Sequence, residues 1–280
     1  MGTGLEPLPR QPLPLRIPWG MRFREPFALD NSPQGKAMAG QLMSTIGHAI
    51  ELHERLLSMT SWTSNPSSAF SRLANQLGDA PVELERSLGA AAVIARTSLE
   101  MIGKALGEHG TYAVSLAILG RAALIPSGRI IYALGPHNEA DQLENCRRVL
   151  IQEGMSYIRA LDGGAAYQEL VRLRPMEGLV DEARTQLSQV SRGNQPMGEQ
   201  RMLQRMADVV GDLLVSQQPE GAARVGYREH VNAIFHFYSG FAHGYGWPTL
   251  RPQAELVADL GIVGSTGLLA LDLLHRRVGS

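Results

Sequence analysis

The chain has 280 residues, a formal net charge of −1 at neutral pH and a sequence pI near 6.7. This length allows one large domain or two small ones, and it is sufficient to bury most of the apolar surface without disulfides. Nucleic-acid-binding proteins usually carry a strong basic excess, so the balanced charge argues against that class, although a local basic groove stays compatible with it. The single cysteine, Cys146, excludes an intrachain disulfide and a cysteine-based zinc site.

The first predicted element is an extended arm over residues 1–32, which six prolines interrupt. Proline fixes the backbone and lacks an N–H donor, so this stretch cannot be a helix or a central strand. We expect the large aromatic residues Trp19, Phe23 and Phe27 to anchor the arm on the body of the protein or on a second copy.

From residue 33 to residue 280 the sequence predicts helices only, because apolar residues recur with a period of about 3.6 and no stretch alternates with a period of two. The expected fold is therefore all-α: a single domain packed as a helical bundle. The predicted helices are Pro33–Leu57, Ser68–Leu77, Pro81–Leu106, Thr111–Leu134, His137–Leu161, about three shorter helices within Gly163–Gly221, one from Tyr227, and Gln253–Arg277.

Targeting signals are not evident in the sequence. The proline-rich start has no apolar core of the kind that a signal peptide carries. The longest charge-free apolar run, Leu260–Leu271, is too short to span a bilayer. We therefore expect a cytoplasmic protein with no membrane partner.

The helix predicted from Tyr227 holds the candidate site. At about 100° per residue, one arc of this helix is apolar and the neighbouring arc is polar. The polar arc consists of Arg228, Asn232, His236, Ser239 and His243. A polar stripe beside a core-facing stripe is typical of a cleft that carries chemistry, and equally of a helix at a subunit interface. We expect the stripe to line one cleft near Gly244 and Gly246, where the helix should end.

Cofactor and metal motifs are missing from the sequence. A phosphate-binding loop, a dinucleotide fingerprint, a zincin motif and a paired di-iron signature all fail on residue identity or spacing. His236 and His243 lie about 10 Å apart along the helix axis, which is too far to chelate one ion. We therefore expect no cofactor and no metal.

Two segments, RAALIPSGRIIYALGP (121–136) and HFYSGFAHG (236–244), resemble a group of uncharacterised, mainly actinobacterial, all-helical proteins distantly related to HEPN domains. The resemblance implies an HEPN-like core with extra helices. HEPN ribonucleases use an arginine and a histidine on one helix, usually across a dimer interface, to position the RNA 2′-hydroxyl and stabilise charge on the phosphate. Ser239 and His243 match the serine and histidine of the group's second segment, whereas His236 stands where the group has arginine.

Three functions remain open. The first is an interaction, assembly or regulatory module without catalysis, working by self-association or through a protein partner, and the substitution of arginine by His236 favours it. The second is an RNA- or nucleotide-directed enzyme, a metal-independent ribonuclease, with His243, His236 and Arg228 as catalytic residues. The third is a helical small-molecule binder whose pocket Tyr238, Tyr245 and Trp247 close. The predicted binding residues are Asn232, Tyr238, Ser239, Tyr245 and Trp247.

Overall fold

The structure is a computed structural model that describes residues 32–279 with gaps at 60, 79, 81, 108–111, 166–176, 192, 216–221 and 245–253. Most of the predicted arm, with its three aromatic anchors, and the predicted site residues Tyr245 and Trp247 lie outside the described residues. Within the described ranges the chain forms nine α-helices and no strand, which confirms the all-α prediction.

The helix bounds follow the predicted order. The helices are α1 Pro33–Leu57, α2 Ala69–Leu77, α3 Leu84–Gly107, α4 Ala113–Leu134, α5 Glu139–Ala165, α6 Glu177–Ser191, α7 Glu199–Val215, α8 Ala222–Ala242 and α9 Ala254–Gly279. The start of α3 differs from the prediction, which placed it at Pro81. The helix begins only where the carbonyl of Glu83 accepts the backbone N–H of Ser87 over 2.9 Å. The carboxylate of Glu85 ties the first turn of α3 to the loop between α1 and α2 by accepting the Trp62 N–H over 3.0 Å.

Side-chain caps explain several helix starts. Oγ of Ser32 accepts the Gly35 N–H over 3.0 Å at the start of α1, and Oγ of Ser68 caps α2 in the same way. Oδ1 of Asn138 accepts the Asp141 N–H over 2.7 Å and caps α5. Each of these bonds satisfies an N–H group that has no partner within its own helix.

Helix α4 lies at the centre of the bundle and packs against α3, α5, α7, α8 and α9. It continues through Pro126, and from Ala123 to Leu134 nearly every side chain is buried. Gly120 allows α8 to approach closely, because a Cβ atom at that position would overlap the ring of Tyr238. The tyrosine of the predicted site therefore belongs to the core, where it is only 1% exposed.

Two helices of the described chain, α4 and α9, are long and apolar enough to cross a membrane by length and composition alone. In this fold, 61% of the apolar window of α4 and 56% of that of α9 are buried inside the protein. Central helices of a bundle pass the same test, because they contact neighbours on several sides.

Candidate functional site

The polar stripe of α8 faces α7, and its first members bond across the helix pair. Nη1 of Arg228 lies 3.2 Å from Oδ1 of Asp208. One turn further on, Oδ1 of Asn232 accepts a hydrogen bond of 3.4 Å from Nε2 of Gln204. The two helices are thus joined by polar side chains on their solvent-facing side as well as by apolar contacts.

His236 occupies the next turn of the stripe. Its Nε2 lies 3.1 Å from Nε2 of Gln200, and its ring stands nearly edge-on to the ring of Phe235 at 5.6 Å between centroids. The His236 side chain is exposed. Because Gln200 supplies an amide N–H here, the imidazole nitrogen acts as the acceptor in this pair.

Arg121 of α4 enters the stripe from a third helix. Its Nε donates a 3.1 Å hydrogen bond to Oγ of Ser239, and its Nη2 lies 3.0 Å from the carboxylate of Glu199. The guanidinium carbon lies 5.8 Å from the centroid of the Phe235 ring, within cation–π distance. Three contacts with two helices, α7 and α8, therefore fix this arginine, which is 27% exposed.

His243 lies at the C-terminal end of α8, one turn beyond Ser239. Its backbone N–H bonds to the Ser239 carbonyl over 2.9 Å, and its side chain is exposed. Gly244 follows with a φ of 72°, a left-handed conformation that glycine adopts without strain and that ends helices.

The members of the stripe do not converge on one point. Arg228 and His243 belong to one helical segment and lie about 22 Å apart along its axis at a rise of about 1.5 Å per residue. They cannot contact the same reacting atom. The structure instead brings Arg121, Ser239 and His236 together in the C-terminal half of α8, and this group is the candidate functional site.

A separate polar cleft of about 530 Å³ opens where α4 ends and α5 begins, facing α7. Tyr132 lies in it, and burial raises the pKa of this tyrosine, while the guanidinium groups of Arg148 and Arg205 act in the opposite direction. Three arginines line the cleft, but so do the four carboxylates of Asp141, Glu144, Asp208 and Asp212. This mixed lining has no basic excess to attract a nucleic-acid backbone.

Metal chemistry has no obvious site in this part of the molecule. Within the residues that the structure describes, no group of three or more His, Cys, Asp or Glu side chains is arranged to hold a metal ion.

Comparison of the chain with protein-family models, curated proteins and solved structures finds no match.

Sequence reasoning missed Arg121 as a site residue. The available signal was its position as one of only two charged residues, with Arg129, in the apolar helix α4. A charge in such a helix needs a partner, and the partners are on α7 and α8. The residues of the polar cleft left no local signal, because they come from helices that are distant in sequence.

Proposed function

We propose that the protein is a helical interaction and assembly module that associates with a second copy of itself through the outer face of α3. An HEPN-like origin of the bundle and a cytoplasmic location are parts of this proposal. The burial of more than half of the apolar windows of α4 and α9 within the fold supports a protein without a membrane span.

The outer face of α3 is the observation that carries the proposal. Between Arg86 and Lys104, every exposed position of the helix is uncharged: Ala90, Val93, Ile94, Thr97 and Met101. Val93, Ile94 and Met101 are 45%, 51% and 45% exposed. A contiguous apolar stripe of this kind, on a surface where single apolar residues are normal, is typical of a protein interface.

The apolar surface extends from α3 onto α1. The terminal methyl of Met43, whose side chain is 44% exposed, lies against Gly103 at 3.5 Å from the position of a Cβ atom there. Methionine adapts its shape to a partner, which makes it common at binding surfaces. We call the group of Met43, Val93, Ile94 and Met101 the α3 surface.

A second copy of the chain fits this surface because the surface is self-complementary. Two-fold association places the same patch on both sides of the interface, so any charge within the patch would meet an identical charge. The exposed positions of the stripe carry none. The only charged residues within that stretch, Arg96 and Glu100, form an ion pair with each other at its flank.

The α8 stripe supports a structural rather than a catalytic role for its polar groups. Arg121 is paired with Glu199, and Arg228 is paired with Asp208. A phosphate would have to compete with these carboxylates for the two guanidinium groups. The simplest function for the stripe is therefore to hold α4, α7 and α8 together.

The test is the mass in solution of the wild type and of charge variants. The monomer has a mass of 30.4 kDa, and we expect the wild type to reach twice that value in light scattering or sedimentation equilibrium. Val93→Glu and Met101→Glu should each weaken association by roughly tenfold or more, since each would bury an unpaired charge. Gln189→Glu adds the same charge at an exposed position of α6 and should change nothing.

A monomeric wild type would overturn self-association. A dimer whose dissociation constant is the same in Val93→Glu and Gln189→Glu would move the interface away from the α3 surface. Circular dichroism of all three variants checks that the helical fold is intact.

A second candidate function is a metal-independent ribonuclease, which one observation favours. Arg121 hydrogen-bonds to Ser239, one helical turn before His243, so α4 supplies the arginine that α8 lacks at His236. In this alternative His243 would act as general base or acid and Arg121 would stabilise the phosphate charge.

Cleavage of a labelled single-stranded RNA in the presence of EDTA tests this alternative. A ribonuclease would lose activity in His243→Ala and in Arg121→Ala, whereas His48→Ala, an exposed histidine on α1, would keep it. The exposed position of His243 predicts a change in unfolding free energy below about 1 kcal/mol in His243→Ala, so a loss of cleavage would not reflect unfolding. We expect no EDTA-resistant cleavage by the wild type.

A further inference from the structure

We propose that a cleft between α1, α8 and α9 binds an uncharged amphipathic small molecule, with an alkyl chain and one hydroxyl group. The cleft has a volume of about 560 Å³ and lies apart from the α8 stripe and the α3 surface. Small-molecule sites usually enclose about 300–1,000 Å³, so the size fits a ligand of this class. This inference is independent of the proposed function.

Two glycines of α9 explain why the cleft exists. At Gly264, a Cβ atom would come within 2.9 Å of Cδ1 of Leu42, so α1 and α9 touch there. One turn earlier, Gly261 lines the cleft, and nothing lies within 4 Å of the position of its Cβ. Close packing explains the first glycine but not the second, because a side chain at position 261 would meet open space. The absence of a side chain at Gly261 keeps the cleft open.

Apolar side chains form most of the wall. Leu42 of α1, Val210 of α7 and Val257, Ile262 and Leu269 of α9 line the cleft. An alkyl chain placed here would be removed from water on several sides, which is favourable in proportion to its buried area.

Two hydrogen-bonded pairs provide the polar part of the site. The hydroxyl of Tyr227 bonds to Oγ1 of Thr266 over 2.8 Å, and Nε2 of His230 lies 2.9 Å from Oδ1 of Asp259. Asp259 is only 1% exposed and does not line the cleft itself, whereas His230 does. With Nε2 of His230 donating to this carboxyl oxygen, Nδ1 of the neutral ring is an acceptor for a ligand hydroxyl.

The charge of the lining decides between ligand classes. None of the described residues that line the cleft is Asp, Glu, Lys or Arg. A carboxylate, phosphate or ammonium group would lose its hydration here without a partner of opposite charge, which is strongly unfavourable. A ligand hydroxyl would exchange a water molecule for Nδ1 of His230 at little cost. We therefore infer an uncharged ligand.

Three probes with the same alkyl chain test the inference: 1-decanol, decanoate and decylammonium. Each competes with the neutral dye Nile red, whose fluorescence reports occupancy of an apolar site on the full-length chain. We expect decanol to displace the dye and to bind more than about tenfold more tightly than either ion, because only the ions leave a charge unpaired.

Gly261→Phe is the variant that fills the cleft, and Gly47→Phe is its matched control. Gly47 is exposed in the middle of α1, has nothing within 4 Å of its Cβ position and does not line the cleft. Decanol binding should weaken by more than about tenfold in Gly261→Phe, since the new ring takes the volume of the alkyl chain. It should be unchanged in Gly47→Phe.

Several outcomes would overturn the inference. Equal affinity of Gly261→Phe and wild type for decanol would place the dye and the alcohol elsewhere. Tighter binding of decanoate or decylammonium would refute an uncharged ligand. If decanol does not displace Nile red from the wild type and Gly261→Phe loses thermal stability, residues of the chain itself fill the cleft.

Discussion

Arg121 and Ser239 are 118 positions apart in the chain, and a 3.1 Å hydrogen bond from Nε to Oγ joins them. The bond links the central helix α4 to α8, the helix that carries the polar stripe. Because the same guanidinium also pairs with Glu199, one side chain connects α4, α7 and α8. The polar contacts of the α8 stripe therefore hold these three helices together.

Arg121→Ala should lower the free energy of unfolding by about 1–2 kcal/mol, the sum of a hydrogen bond to Ser239 and a partly exposed ion pair with Glu199. Ser239→Ala removes only the hydrogen bond and should cost about 0.5–1 kcal/mol. Urea denaturation measures both. Arg55→Ala, an exposed arginine of α1, is the control and should stay within about 0.5 kcal/mol of wild type. If Arg121→Ala has the same free energy of unfolding as wild type, the contacts of Arg121 contribute nothing to stability.

Gly120→Ala should destabilise the protein by about 1–3 kcal/mol, because the added methyl overlaps the Tyr238 ring and the core must shift. The ring is buried and cannot move aside as the end of a flexible side chain can. Gly47→Ala is the opposite case: with open space around it, alanine should raise the unfolding free energy by about 0.5–1 kcal/mol. Thermal melts of the two variants should therefore shift in opposite directions.

The sequence predicted the fold well because the helix signals are local. Apolar periodicity is a property of neighbouring residues, and most helices appear where it predicts them, although α8 begins at Ala222, five residues before the predicted start at Tyr227. The predicted start of α3 at Pro81 was wrong because a proline permits a helix to begin at its position but does not require it. The start at Leu84 also depends on Glu85, which bonds to Trp62 in a different segment.

The site was only partly predictable for the same physical reason. Periodicity placed Arg228, Asn232 and His236 on one face of a helix, and the structure has all three bonded towards α7. Periodicity could not identify which helix packs against that face. The partners of Arg121 and the walls of the cleft at Gly261 come from helices that become neighbours only in the folded chain, so no local pattern could have identified them.

The thiol of Cys146 should be inert in the native protein. It is completely buried, and burial raises its pKa from 9.0 to about 12. The reactive thiolate is therefore suppressed at about pH 8, and the sulfur is also inaccessible to reagents. Iodoacetamide labelling followed by mass spectrometry should find no adduct on the folded chain and complete labelling in denaturing urea. Rapid labelling of the folded protein would show that the α4–α5 contact opens easily.

His53 should make the protein less stable in mild acid. The residue is 4% exposed, and its Nδ1 is buried with no hydrogen-bond partner among the described residues. Its pKa lies below the ordinary 6.5, first because burial disfavours the charged ring and second because Arg96 is nearby. Above pH 6.5 the ring is neutral in both the folded and the unfolded chain, so the residue adds no pH dependence there.

As the pH falls below 6.5, the unfolded chain binds a proton that the folded chain does not, so stability decreases until native His53 is protonated as well. The decrease from this one group is at most about 1.4 kcal/mol per pH unit. Urea denaturation at about pH 8, 6.5 and 5 should show a smaller acid-dependent loss in His53→Leu than in wild type, since leucine cannot take up the proton. His48→Ala, at an exposed position of the same helix, should follow the wild-type curve. If His53→Leu loses stability as steeply as wild type between the upper and lower pH, other groups are responsible for the acid sensitivity.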